Sequence, residues 1–132
     1  MSSSQEDCIF CNKTNCKVIS TTNNFFVIRD TAYPVTKHHT LIITNRHVAD
    51  FFKLTKEEMI ELDKILKDQK KELKKIDEEI SGFNVGVNIG KDAGQSIMHC
   101  HIHLIPRRKG DVEDPRGGVR GVIPEKQKYK RK

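Results

Sequence analysis

The sequence predicts an α+β fold built on a mostly antiparallel sheet. Three observations point there. The run His99-Cys100-His101-Ile102-His103-Leu104-Ile105-Pro106 alternates in polarity with the two-residue period of a strand. Leu62, Ile65, Leu66, Leu73, Ile76 and Ile80 recur at three-to-four spacing, the signature of one apolar stripe on a long helix. Two short apolar runs, Phe25-Phe26-Val27-Ile28-Arg29 and Thr40-Leu41-Ile42-Ile43, precede that helix and read as buried strands. Strands before and after a single long helix favour a segregated α+β arrangement over alternating parallel units.

Taken in order, residues 1–7 read as a flexible N-terminus, and residues 8–16, with three cysteines among polar residues, as a loop or knuckle. After the first strand, Asp30-Thr31-Ala32-Tyr33-Pro34 is a turn in which Pro34 fixes its own φ. The second strand follows. The helix starts at Thr55-Lys56-Glu57-Glu58, where capping-box spacing lets Thr55 cap and Glu58 reach back. Its dense Lys/Glu pattern reads as a solvated face with i,i+4 pairs, and Ser81-Gly82 ends it. Phe83-Asn84-Val85-Gly86-Val87-Asn88 alternates as a strand, Gly90-Lys91-Asp92-Ala93-Gly94 turns, and the histidine strand returns as the second arm of a hairpin. Residues 8–110 thus form one domain, and 111–132 an extended basic C-terminal arm.

A chain of 132 residues suits a single core. No apolar run is long enough to span a bilayer, which argues against a membrane protein. The first residues lack the charged start and apolar stretch of a signal peptide, so a cytoplasmic protein is expected. Four cysteines in a reducing compartment point to metal binding or free thiols rather than disulfides. Much of the net charge of +6 lies in the segment Lys126 to Lys132. That tail favours anionic substrates by long-range attraction. With only Tyr129 as an interleaved aromatic, it does not read as a nucleic-acid module.

On a strand, His99, His101 and His103 share one face roughly 6–7 Å apart, and Cys100, Ile102 and Leu104 point to the core. Three uses compete: surface histidines, a three-histidine metal site with an open position, or nucleophilic catalysis by a neutral imidazole whose tautomer a neighbour fixes. The residues just before the row, Asn88 to Ser96, favour phosphate chemistry. Gly94 allows close backbone approach, exposed N–H groups there could hold phosphate oxygens, and Ser96 adds a hydroxyl. The pair Cys8-Ile9-Phe10-Cys11 is open between a redox pair, unrelated cysteines and half of a zinc site.

The string Gly94-Gln95-Ser96-Ile97-Met98-His99-Cys100-His101-Ile102-His103 resembles the histidine-triad (HIT) family of nucleotide hydrolases and transferases, in its branch with an N-terminal CxxC zinc site. The similarity runs from about Cys8 to Arg108. It implies a five-stranded antiparallel sheet with a long helix, and a homodimer whose sheets join side by side into ten strands. It implies binding of purine nucleotides, with adenosine mono- or dinucleotides as substrates, and cleavage at the α-phosphate through a nucleotidyl-histidine. His101 is then the nucleophile and His103 a contact to the α-phosphate. Asn88, Gly94, Gln95 and Ser96 are nucleotide-binding, and Asp30 matches the residue that binds ribose hydroxyls. Cys8, Cys11, His47 and His99 complete a structural Zn2+ site, and His39 belongs to the active-site region.

The resemblance departs from the family pattern in one extra residue between Asp30 and the Thr40 strand. It departs again at Thr44, where the family often has proline. His38 reads as a surface loop residue, Cys100 as a small core residue and Cys16 as a spare thiol. Arg107, Arg116 and Arg120 are candidates to face polyphosphate. The function this implies is hydrolysis of dinucleoside polyphosphates or nucleoside phosphoramidates with release of AMP. The alternatives are a transferase or phosphorylase, a nucleotide-binding module with little turnover, or a metalloenzyme using the three histidines directly.

Overall fold

The structure, a computed structural model, describes residues 8–13 and 16–129. The expectations for residues 1–7 and for the last basic residues, 130–132, lie outside the described residues. Five strands form one sheet: β1 (Val18–Thr21), β2 (Phe25–Arg29), β3 (Thr40–Thr44), β4 (Ile80–Gly86) and β5 (His101–Arg108). Their order is β1-β2-β3-β5-β4, and every neighbouring pair is antiparallel. The one long helix, α1 (Lys56–Ile76), connects β3 to β4. The α+β, five-stranded expectation is therefore met. β1 is mostly exposed and carries no alternating pattern, which is why it did not stand out in the sequence.

Residues 25–28 of β2 and 41–43 of β3 are unbroken apolar runs because both faces of the sheet are covered there. Phe25, Val27, Ile42, Cys100 and Ile102 pack against Leu62 and Ile65 of α1. Phe26, Ile28, Leu41 and Ile43 pack on the opposite face against Cys8 and Phe10 of the N-terminal knuckle. Leu104 joins Leu73 and Ile80 at the far end of the helix face. Burying this apolar area is the main favourable term in folding, and it pins the register that aligns β5 with β3.

α1 begins as expected. The Thr55 hydroxyl accepts from the Glu58 N–H (3.1 Å), and the Glu58 carboxylate accepts from the Thr55 N–H (2.8 Å). Glu58 is only 3% exposed, and Arg46 donates two hydrogen bonds to it, both at 2.9 Å. These bonds outweigh burial and hold its carboxyl at a pKa of about 2.

The helix ends earlier than the apolar spacing predicts. Asp77 leaves the helical conformation and its carboxylate takes the Arg108 guanidinium at 2.8 Å. Ile80 accordingly belongs to β4, opposite Arg108, and Ile76 is 56% exposed. β4 covers 80–86 rather than 83–88. The apolar stripe is completed by a polar residue, Gln69, buried because its side-chain oxygen accepts from Arg29 at 2.7 Å.

Residues 111–129 do not run as an extended arm. They fold into 3-10 turns at Gly118–Val122 and Pro124–Lys126 against β4 and β5. A side chain at Gly117 would collide with the Gln127 carbonyl, so the compact turn requires glycine there, at φ 91°. The arginines read as polyphosphate contacts are engaged locally. Arg107 donates to Asp111 and Asn84, Arg116 lies 4.0 Å from Asp114, and Arg120 donates to the Lys126 carbonyl and covers the Tyr129 ring.

Candidate active site and metal centre

The histidine strand starts one step later than its alternation predicts. β5 begins at His101, and His99 and Cys100 form its lead-in. Cys100 still sits against the sheet, through Cys100 N–H to the Val48 carbonyl (2.6 Å) and Thr44 N–H to the Cys100 carbonyl (3.3 Å). The second of these bonds uses a backbone N–H that proline at position 44 would lack, so Thr44 helps tie down the lead-in. The row survives: His101 lies opposite Ile43, His103 opposite Leu41, and the two rings meet at 5.3 Å.

Hydrogen bonds set the tautomers along the row. His101 is 8% exposed, and its Nδ1–H donates to the His99 carbonyl at 2.7 Å. In the neutral ring this leaves the lone pair on Nε2. His39 Nδ1 accepts from the Val35 N–H at 3.0 Å, so a neutral His39 carries its proton on Nε2. That Nε2–H points at His103 Nδ1, 2.9 Å away, and His103 is left with its own proton on Nε2. Burial lowers the pKa of all three rings. His103 falls to about 4, pushed down by burial first and then by repulsion from His101 and His39. At neutral pH the site therefore holds a bare imidazole nitrogen beside an imidazole N–H donor. His39 is more than a neighbour of the site: it fixes the tautomer of His103. Its place follows from His38, which adopts φ 72° and turns the chain so that the next side chain faces the sheet.

Asp30 ends β2 on the same side. Its Oδ1 accepts from the Ala32 and Tyr33 N–H groups (3.1 and 3.0 Å), and Oδ2 lies 3.9 Å from His39 Nδ1. Asn88 follows two residues after Gly86, which pairs with His103. Gly94 adopts φ 95°, and a side chain there would approach the Asn88 amide. Gln95 is buried and bonds only to backbone. It accepts from the Gly90 N–H (2.8 Å) and donates to the Ala49 and Ile97 carbonyls (3.0 and 3.2 Å), which fixes the loop's shape. Ser96 is exposed at the loop surface.

The metal donors gather around His99 at the lead-in, on the same sheet face as the row. Sγ of Cys8 lies 3.3 Å from His99 Nδ1, and Sγ of Cys11 lies 3.4 Å from His99 Nδ1 and 3.1 Å from His47 Nδ1. The two Nδ1 atoms are 3.3 Å apart, and all four donor atoms lie within 4.8 Å of one another. A tetrahedron with ordinary Zn–S and Zn–N bonds has edges of about 3.3–3.8 Å.

The tautomers agree with a metal. His99 Nε2–H donates to the Thr44 carbonyl (2.7 Å), so its Nδ1 presents a lone pair to two sulfurs and another nitrogen. His47 Nε2 is buried without a partner among the described residues, so no other contact sets the tautomer of that ring. Cys8, Cys11, His47 and His99 thus form a site that fits Zn2+. Four protein donors leave no open position, which makes the ion structural. Cys100 lies on the opposite face in the core, as expected. Between the cysteines, Phe10 is 3% exposed and meets the rings of both His99 (6.0 Å) and His101 (5.1 Å) edge-on. Nothing in the sequence marked that contact beyond the position of Phe10 inside the CxxC.

The family model for the HIT domain matches residues 12–110. The chain belongs to the HIT family. An uncharacterized HIT-like protein of Methanocaldococcus jannaschii is 34% identical over 110 residues, covering 80% of this chain and 83% of that one. The asymmetrical bis(5'-nucleosyl)-tetraphosphatase of Schizosaccharomyces pombe is 33% identical over 81 residues, covering 61% of this HIT chain but 44% of its own length. A Zn-bound histidine triad family protein from Mycobacterium smegmatis superposes with a TM-score of 0.73 at 28% identity, covering 82% of this chain and 80% of that one.

Proposed function

We propose that this HIT protein is a nucleotidyl hydrolase acting on adenosine nucleotides with a leaving group on the α-phosphate, such as dinucleoside polyphosphates or nucleoside phosphoramidates. His101 Nε2 attacks the α-phosphorus. A P–N bond forms, the bond to the leaving group breaks, and the leaving group takes up a proton. Water then attacks the phosphorus, the P–N bond breaks, and AMP departs. His103 donates its Nε2–H to a phosphate oxygen as charge builds in the transition state. The backbone amides around Gly94, the Ser96 hydroxyl and Asn88 hold further phosphate or leaving-group oxygens, with Gln95 shaping their loop. Asp30 Oδ2 accepts from the ribose hydroxyls. The zinc site lies behind His99 and takes no part in the chemistry.

The observation that carries this reading is the 2.7 Å bond from His101 Nδ1–H to the His99 carbonyl beside a His103 whose proton is on Nε2. It pairs a nucleophile with a donor in the neutral forms that the chemistry needs. The name of the fission-yeast relative, a nucleosyl-tetraphosphatase, supports the substrate class. The same reading takes the working unit to be a cytoplasmic homodimer paired through β4, the edge of the sheet on which Val85 is exposed.

Product analysis with diadenosine polyphosphates and an adenosine phosphoramidate tests the proposal, wild type beside His101→Ala. AMP release should fall by about 10⁴-fold or more in the variant with the fold retained. Full activity without His101 would overturn it. ADP production that requires added inorganic phosphate would instead assign a phosphorylase. Nucleotide-dependent thermal stabilisation without product would assign a binding module.

A further inference from the structure

We infer that Phe10, inside the zinc knuckle, is a positioning residue for the attacking ring of His101, so that one rigid unit sets both the metal site and the nucleophile. This rests on His101 being the nucleophile of the proposed reaction. The knuckle closes on itself: the N–H groups of Cys11 and Asn12 both donate to the Cys8 carbonyl at 3.2 Å. With two metal donors flanking it, Phe10 has little freedom to choose its direction. Its ring sits in the cluster of Phe26, Ile28, Leu41 and Ile43, on the same sheet face as the histidine row.

Among the described residues, His101 has one ring hydrogen bond, from Nδ1–H to the His99 carbonyl. A single bond leaves an imidazole free to tilt about it. Two rings remove that freedom. Phe10 meets His101 at 5.1 Å with the planes at 67°, and His103 meets it at 5.3 Å and 61°. The acceptor carbonyl is itself held through the knuckle. The His99 ring is fixed by its Nδ1 among the metal donors, by Nε2–H to the Thr44 carbonyl, and by Phe10 at 6.0 Å. The acceptor residue and one of the two rings that aim His101 Nε2 are therefore both in contact with residues 8–11. In-line attack tolerates little misplacement, and an error near 1 Å is worth about a hundredfold in rate.

The test uses zinc-loaded protein carrying Phe10→Leu or Phe10→Ala. Four quantities are read: bound zinc, melting temperature, the ¹⁵N shifts of the His101 imidazole, and single-turnover nucleotidylation by an adenosine phosphoramidate. Zinc should stay bound. The His101 signals should move from a single Nδ1–H form toward a tautomer average. The nucleotidylation rate should fall about ten- to hundredfold while KM changes by less than about threefold. Wild-type protein stripped of zinc should show the same ¹⁵N change. Should Phe10→Ala lose its metal or its fold, Phe10→Leu, closer in volume, carries the test alone. Unchanged ¹⁵N shifts in a variant that keeps its zinc overturn the inference, whatever the rate does, because Phe10 would then act as core filler or on substrate directly. If wild type turns over no nucleotide, the hydrolase reading fails while the shifts still decide the role of Phe10.

Discussion

The two faces of the sheet are held in different ways. On the helix face, Phe25, Val27, Ile42, Ile102, Leu62 and Ile65 interlock through apolar contact alone. On the knuckle face, a few apolar side chains share the space with three thiols, two of them metal donors, and five imidazoles, and direction matters as much as area. The first face supplies stability that is spread over many contacts. The second concentrates it in four ligand atoms and a chain of oriented hydrogen bonds. Stability and function should therefore respond differently to damage on each side.

Metal removal should produce the largest effect. Structural zinc in small domains contributes on the order of 10 kcal/mol of binding free energy, much of it coupled to folding. A strong chelator should lower the melting temperature further than any single core truncation, and re-addition of Zn2+ should restore it. Nucleotidyl transfer should be lost with the knuckle, because His99 carries the carbonyl that orients His101. A chelated protein with an unchanged melting temperature would show that the apolar packing of Phe10 and Cys8 suffices to hold that face.

Truncation on the helix face is the contrasting experiment. Leu73 is fully buried between Ile80 and Leu104. Leu73→Ala should cost about 2–5 kcal/mol in denaturant unfolding. The rate per folded molecule should stay near wild type, since Leu73 touches neither the row nor the loop. Loss of rate in proportion to stability would mean that the two faces are coupled more tightly than their contacts indicate.

The same contrast explains what the sequence reveals. The alternation at 99–106 and the apolar runs of β2 and β3 are local patterns, and each is visible without a partner. The metal ligands came from resemblance, not from pattern, because His47 and His99 are 52 residues apart and meet only when β3 pairs with β5. The relay from Val35 through His39 to His103 was hidden because it depends on which ring nitrogen receives a proton. The sequence extends the helix too far because Ile76 and Ile80 continue the helical spacing, while the Asp77–Arg108 ion pair at its end is non-local. The segment from 111 reads as an extended arm from its glycines, prolines and charges, and one of those glycines instead permits a tight turn against Gln127.

The smallest predicted effect lies at the seam between the faces. Glu58 belongs to the first turn of α1, and its partner Arg46 immediately precedes the metal donor His47. The Arg46 hydrogen bonds lower the folded-state pKa of Glu58 to about 2, from its ordinary value of 4.5. A depressed carboxyl stabilises the fold above its unfolded pKa. That contribution should be complete above about pH 5 and fade as the pH falls toward 2. Because the Arg46 side chain is about half exposed, solvent screening reduces the gain to about 1–2 kcal/mol. Glu58→Gln should therefore lower the unfolding free energy by that amount at pH 7. The gap between variant and wild type should narrow below pH 5 and close only near pH 2, and the comparison at each pH cancels the acid sensitivity that both proteins share through their zinc ligands. A gap that stays constant across that range would assign the loss to the packing of position 58 rather than to the charge of the ion pair, because a glutamine oxygen there can still accept the capping bond from the Thr55 N–H.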